Sequence, residues 1–130
     1  MVSSVESGFN FHTHMTQNEI VMRRVFAAVN DYDTPAVLRD WNPQGVYDNP
    51  SVGQPARGHD EVFARIDKFV QAVKQRSETI ALDRVVASGD LVVTEWHIEP
   101  ASTGKCGVHV AAFDPQNRLQ HVRVYPVGFG

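Results

Sequence analysis

From residue 16 to residue 76, apolar side chains recur every three to four positions, and from residue 79 onward they alternate. The first period belongs to helices and the second to strands. Thr16-Gln17-Asn18-Glu19 has the Thr-x-x-Glu form of a capping box, in which side chains serve the free amides of a helix start. Ile20, Val21, Val25, Phe26 and Val29 follow at helical spacing, and Asn30-Asp31-Tyr32-Asp33 ends the run. Thr34 before Pro35 predicts an N-cap with proline at the first helical position. The short helix behind it carries Val37, Leu38 and Trp41 on one face and stops at Asn42-Pro43-Gln44-Gly45. Residues 46–49 read as a short strand broken by Pro50, and residues 51–58 as a loop. A third helix begins near His59, with Asp60 and Glu61 in its first turn, where acids suit the helix dipole. Val62, Phe63, Ile66, Phe69, Val70 and Val73 line its apolar side, and Lys74 and Arg76 close it.

Four strands are expected at 79–87, 91–99, 106–113 and 118–127. Ser88-Gly89-Asp90, the segment around Gly104, and Asp114-Pro115-Gln116-Asn117 separate them. Strands joined by such turns pair antiparallel. The fold class is therefore α+β, three helices packed on a strongly curved antiparallel sheet in the order ααβαββββ. A curved sheet wrapped on the third helix forms a cone with an apolar interior and an open mouth. Residues 1–15 carry Ser, Gly, Asn, His12 and His14 without any period. They read as a flexible N-terminal arm, either a leader or a lid over the cone, and residues 16–130 as the domain.

Composition narrows the partners. A chain of 130 residues that is 42% hydrophobic and 21% charged has room for one soluble domain with one core. The net charge of −3, without a basic run, argues against nucleic acid and anionic membrane as partners. No apolar run approaches the roughly 20 residues of a membrane helix. The N-terminus lacks a basic segment followed by an apolar one, so no secretory signal is expected. The single cysteine, Cys106, excludes an internal disulfide and a cysteine metal site, and fits a reducing, cytoplasmic location. It reads as a small strand residue rather than a nucleophile.

Two stretches carry a family resemblance. Val46-Tyr47-Asp48-Asn49-Pro50, followed by Gly53-Gln54-Pro55-Ala56-Arg57-Gly58, is similar to a strand with an acid before proline, then a loop and a glycine opening the third helix. Phe113-Asp114-Pro115-Gln116-Asn117-Arg118-Leu119 is similar to a Phe-x-x-x-Gly-Arg-Ile turn. With the element order, residues 16–127 resemble the nuclear transport factor 2-like superfamily. That superfamily includes SnoaL-like polyketide cyclases, ketosteroid isomerase, limonene epoxide hydrolase and scytalone dehydratase. The resemblance implies a cystatin-like cone, a small-molecule pocket and a homodimer formed through the sheet face. It specifies the reaction poorly, because one fold hosts many chemistries. Where ketosteroid isomerase has its base, this chain has Asn49, with Asp48 one residue earlier. Where that family keeps a second, neutral acid, it has His109, and its helix-one tyrosine donor falls roughly at Val25. The cyclases' acid falls at Ala111, and the epoxide hydrolases' Asp-Arg-Asp set finds no clear match.

Strand parity then selects the cone's lining. If His109 faces inward, Ala111 and Phe113 do too, and Trp96 with Ile98 and Val122 with Val124 share that face. Tyr47 and Asn49 join from the first strand, and Trp41, Ile66 and Phe69 from the helices. His97 and His121 fall on the opposite face, which argues against a metal triad with His109 despite the spacing of twelve. A histidine titrates near neutrality, so His109 is a candidate acid, base or donor, with a pH profile centred near 6–7. Alternatively it is a satisfied core residue. Asn49 orients a carbonyl or water, or bonds local backbone before Pro50. Tyr47 orients a substrate oxygen or only lines the pocket. Asp48 reaches the pocket if the strand bulges, or pairs with Arg57 or a backbone amide. The expected activity is proton transfer on a hydrophobic carbonyl or polycyclic compound (isomerisation, cyclisation or dehydration) without metal or organic cofactor. The alternative is a non-catalytic ligand-binding or dimerisation module of the same fold.

Overall fold

A computed structural model describes residues 15–129. The expected N-terminal arm, with His12 and His14, lies outside the described residues except for Met15. Helix α1 (Gln17–Asn30) starts where Thr16 Oγ1 accepts the Glu19 amide at 3.1 Å. Glu19 itself turns to Arg23 one turn on, so one half of the capping box is formed. Ile20 stays exposed, and Met22 joins Val21, Val25, Phe26 and Val29 in the interior. At its far end, Asn30 bonds both backbone groups of Ile80 at 2.8 and 2.7 Å, which ties the helix to the sheet.

Helix α2 (Thr34–Leu38) begins one residue earlier than expected, because Asp33 rather than Thr34 is its cap. Asp33 Oδ1 accepts the Ala36 amide, and the Thr34 hydroxyl is free to donate to Asp67 at 2.7 Å. Asp67 lies on α3 (His59–Gln75). Helix α2 also ends sooner than expected. Trp41 is not on it but opens strand β1 (Trp41–Asp48). The reason is non-local: β1 lies parallel to β6 (Leu119–Val127), with Trp41 opposite Leu119 and Tyr47 opposite Val122. A register shift between Trp41 and Val46 absorbs Asn42-Pro43-Gln44-Gly45 into the strand. A bulge of this kind lets a strand keep a proline and extra residues by kinking away from its partner.

Strand β2 (Ala56–Arg57), too short to show a period, pairs antiparallel with β1. The meander of β3 (Thr79–Ser88), β4 (Leu91–Glu99), β5 (Cys106–Phe113) and β6 is antiparallel as expected. The six strands run in the order β2-β1-β6-β5-β4-β3. Bulges between Leu82 and Arg84 and between Ala112 and Phe113 add local twist, which curls the sheet. The three helices fill the concave side. Val62, Ile66, Val70 and Val73 of α3 are buried in one cluster with Trp96, Ile98, Val122 and Val124 of the sheet. Among the described residues, no helix is long and apolar enough to cross a membrane.

Candidate functional site

Register sorts the side chains between the two sheet faces, since neighbours along a strand point to opposite sides. His109 lies between Thr94 and Val124, and Ala111 beside Val122, which is itself beside Tyr47. These residues face the helices. Val46 opposite His121, Asp48 opposite Arg123, and Cys106 opposite His97 belong to the convex side.

A cavity of about 160 Å³ lies between the concave face and the helices. Trp41, Tyr47, Asn49, Ile66, Phe69, Trp96, His109, Val122 and Val124 border it. Ile98, Ala111 and Phe113 do not. They share the concave face, but at 4% exposure or less they are packed into the core with the helices over them. Parity assigns a face, not whether a helix side chain already fills the space above it. Several lining residues escaped the sequence reading: Met22, Val25, Phe26 and Val29 from α1, Ser51 and Val52 after Pro50, and Pro126 and Phe129 at the end of the chain. The i, i+3, i+4 stripe on α1 and the parity of β6 carry signals for the first four and for Pro126. Ser51, Val52 and Phe129 sit in segments with no period.

The polar groups of this cavity are few and uncharged. Among the described residues, none that line it is Asp, Glu, Lys or Arg. His109 is enclosed by Phe26, edge-on at 5.1 Å between ring centres, and by Trp96. Trp96 Nε1 donates to His109 Nδ1 at 2.7 Å. Burial pushes the imidazole pKa down to about 3. The accepted bond acts in the same sense, because it requires a bare Nδ1. The expectation of titration near neutrality is therefore corrected: His109 is a neutral ring at physiological pH. The ring keeps a partly accessible surface, and it borders the cavity.

Tyr47, with its pKa raised to about 12 by burial and only partly offset by Arg65, keeps its phenolic proton. Asn49 Oδ1 accepts from the Ser51 amide at 3.1 Å and the Ser51 hydroxyl at 2.7 Å. That is the local strand-end bonding, and it leaves the amide nitrogen as Asn49's group for the cavity. Trp41 Nε1 is buried without a partner among the described residues. Asp48 is corrected as a site residue. Its place in the register with β6 turns it to the convex face, where Arg123 Nη1 donates to it at 2.9 Å. The partner is thus Arg123, brought in by β6, and not the nearby Arg57.

His97 and His121 are elsewhere. His97 is bracketed by Asp83 at 2.8 Å and Glu99 at 2.9 Å, and these bonds, Asp83 first, raise its pKa. Asp83 reaches it from the β3 bulge. His97 and His121 lie on the face away from His109, so the spacing of twelve does not bring the three together.

The family model for the SnoaL-like domain matches residues 22–114. No match was found among curated proteins. Solved structures share the fold. A SnoaL-like protein of unknown function from Burkholderia thailandensis superposes with a TM-score of 0.74 at 17% identity, over 88% of this chain and 99% of its own. A protein of unknown function with cystatin-like fold from Methylobium petroleophilum gives 0.70 at 18%, over 85% and 75%. The epoxide hydrolase/cyclase-like enzyme SalBIII, described in pyran ring formation in the polyether salinomycin, gives 0.72 at 17%, over 85% and 91%. At such identities the likeness concerns the fold alone.

Proposed function

The chain belongs to the SnoaL-like domain family, and on that premise we propose that its cavity captures a neutral, single-ring carbonyl compound and polarises its oxygen by hydrogen bonding. The observation that carries this reading is the composition of the lining: apolar walls with uncharged polar side chains at His109, Tyr47 and Asn49. An apolar cavity near 150 Å³ takes a single benzene-sized ring, so about 160 Å³ suits one ring better than a polycyclic compound. A charged ligand would lose its hydration without gaining a counter-ion.

His109 then acts as an electrophilic donor rather than a proton acceptor, and Tyr47 and Asn49 orient the oxygen. An isomerase, cyclase or dehydratase step would draw oxygen polarisation from these groups. The described lining offers no carboxylate base for it, so capture with polarisation is the reading favoured over turnover. The test is a titration of the protein with acetophenone and with benzoate, followed by amide and methyl shifts. Acetophenone should perturb Met22, Val122 and Trp96, and benzoate should not at tenfold higher concentration. Equal binding of benzoate would defeat the neutral-cavity reading.

We propose in addition that two copies pair through the convex face, where Val86, Leu91, Tyr125 and Val127 are exposed. Light scattering should give a mass near twice 14.5 kDa, and Tyr125→Asp should halve it. A monomeric wild-type protein at 100 µM or so would remove this part.

A further inference from the structure

Gly107 stands opposite Trp96 in the register of β4 and β5. A Cβ at Gly107 would lie 2.5 Å from Trp96 Cζ2 and 2.9 Å from Cη2. The bare backbone there is what lets the indole come down onto β5. From that seat Trp96 reaches two residues along the strand and places Nε1 2.7 Å from His109 Nδ1. Phe129 packs edge-on against the indole, at 6.0 Å between ring centres.

An indole N–H donates and cannot accept. The Nδ1 it points at must therefore be bare, and the single proton of the neutral ring resides on Nε2. Nε2 has no protein partner among the described residues, and His109 borders the cavity. For the ring to accept a bond at Nε2, its proton would have to move to Nδ1. Two N–H groups would then face each other at 2.7 Å. A ligand that offers only a donor meets that penalty, and a ligand with an acceptor atom does not.

We propose that Trp96, seated over Gly107, is the positioning residue that fixes His109 as an Nε2–H donor, so that the cavity admits ring compounds with an acceptor atom and rejects those that offer only a donor. This deepens the ligand-site reading above and rests on it for the selectivity, while the tautomer stands on the protein alone.

Long-range ¹H–¹⁵N spectra of the ligand-free protein read the ring nitrogens directly. They should show Nε2 protonated and Nδ1 bare from pH 5 to 8. A protonated Nδ1, or a mixture, overturns the proposal. Three similar-sized rings then probe the cavity at pH 7.5: pyridine as acceptor, pyrrole as donor, benzene as neither. In the wild type, pyridine should bind about tenfold or more tighter than pyrrole, the effect of one buried hydrogen bond made against one left unmade. In Trp96→Phe the freed imidazole can turn to either proton arrangement, and the gap should shrink at least fivefold. A wild-type gap within about twofold overturns the selectivity, as does a gap that Trp96→Phe leaves unchanged. If Trp96→Phe does not fold, the wild-type spectra and the wild-type pyridine-to-pyrrole ratio still decide. If none of the three rings binds the wild type, the ligand site itself is lost and the selectivity with it, whatever the ring nitrogens show.

Discussion

His109 supplies a prediction whose size can be worked out. Its imidazole has a pKa of about 3 in the folded protein, against about 6.5 in an unfolded chain. Because the folded value is depressed, the unfolded chain binds more protons throughout the window between them. Stability is therefore untouched above the unfolded value and falls as pH drops through the window. At pH 5 the unfolded imidazole is 1.5 units below its pKa, so this one group lowers stability by about 2 kcal/mol relative to pH 7. His97 works in the opposite direction. Its raised pKa contributes stability that is fully present below the unfolded value and is lost as pH rises through the folded one. A single pH profile mixes the two, so the comparison must be between proteins. His109→Gln removes the titrating ring and keeps an oxygen that can accept from Trp96 Nε1. Urea unfolding of both proteins at pH 7 and pH 5, followed by the fluorescence of Trp41 and Trp96, gives the double difference. The advantage of wild type over His109→Gln should shrink by about 2 kcal/mol between pH 7 and pH 5. Advantages equal within about 0.5 kcal/mol, several times below that expected shift, would mean that the ring is hydrated and titrates normally. An inflection of the His109 ring proton near pH 6–7 would say the same. Either result would refute the neutral-donor argument.

Other consequences can be checked separately. Val25→Phe places a ring in the cavity from the α1 side and should abolish acetophenone binding while leaving the melting temperature unchanged or higher, as differential scanning fluorimetry would show. Asp48→Asn breaks the pair with Arg123 on the convex face and should leave acetophenone affinity within about twofold, the size of a minor stability effect; a tenfold loss would place Asp48 in the site. Asp114, although burial opposes its charge, is held below the usual carboxylate pKa by bonds from the Arg118 amide, Asn42, the Arg118 side chain and the Gln116 amide. Its contribution is present above the unfolded pKa and is lost as pH falls through the folded one. Asp114→Ala should therefore cost about 1–3 kcal/mol at pH 7 in urea unfolding, and less near pH 3.

Features with a short-range period are legible along the chain. Val62, Ile66, Val70 and Val73 recur at helical spacing because a helix buries one stripe, and all four are buried in α3. The alternation on β4, β5 and β6 put Trp96, His109, Val122 and Val124 together and sent His97 and His121 to the other side, and the register agrees. The turn residues at 88–90 and 114–117 separated the strands for local reasons. The rest has non-local causes. Trp41 fits a helix face as well as a strand, and only its parallel pairing with Leu119 of β6 makes it a strand residue. The facing of Asp48 against Asn49 turns on one residue of register, which β6 sets from some 75 positions away. Ile98, Ala111 and Phe113 have the right parity, but helix packing leaves no cavity above them. The protonation of His109 depends on Phe26, Trp96 and the missing side chain at Gly107, which meet only when α1, β4 and β5 come together. A pattern along the chain tells which face a residue takes; the water it loses and the partner it meets belong to the fold.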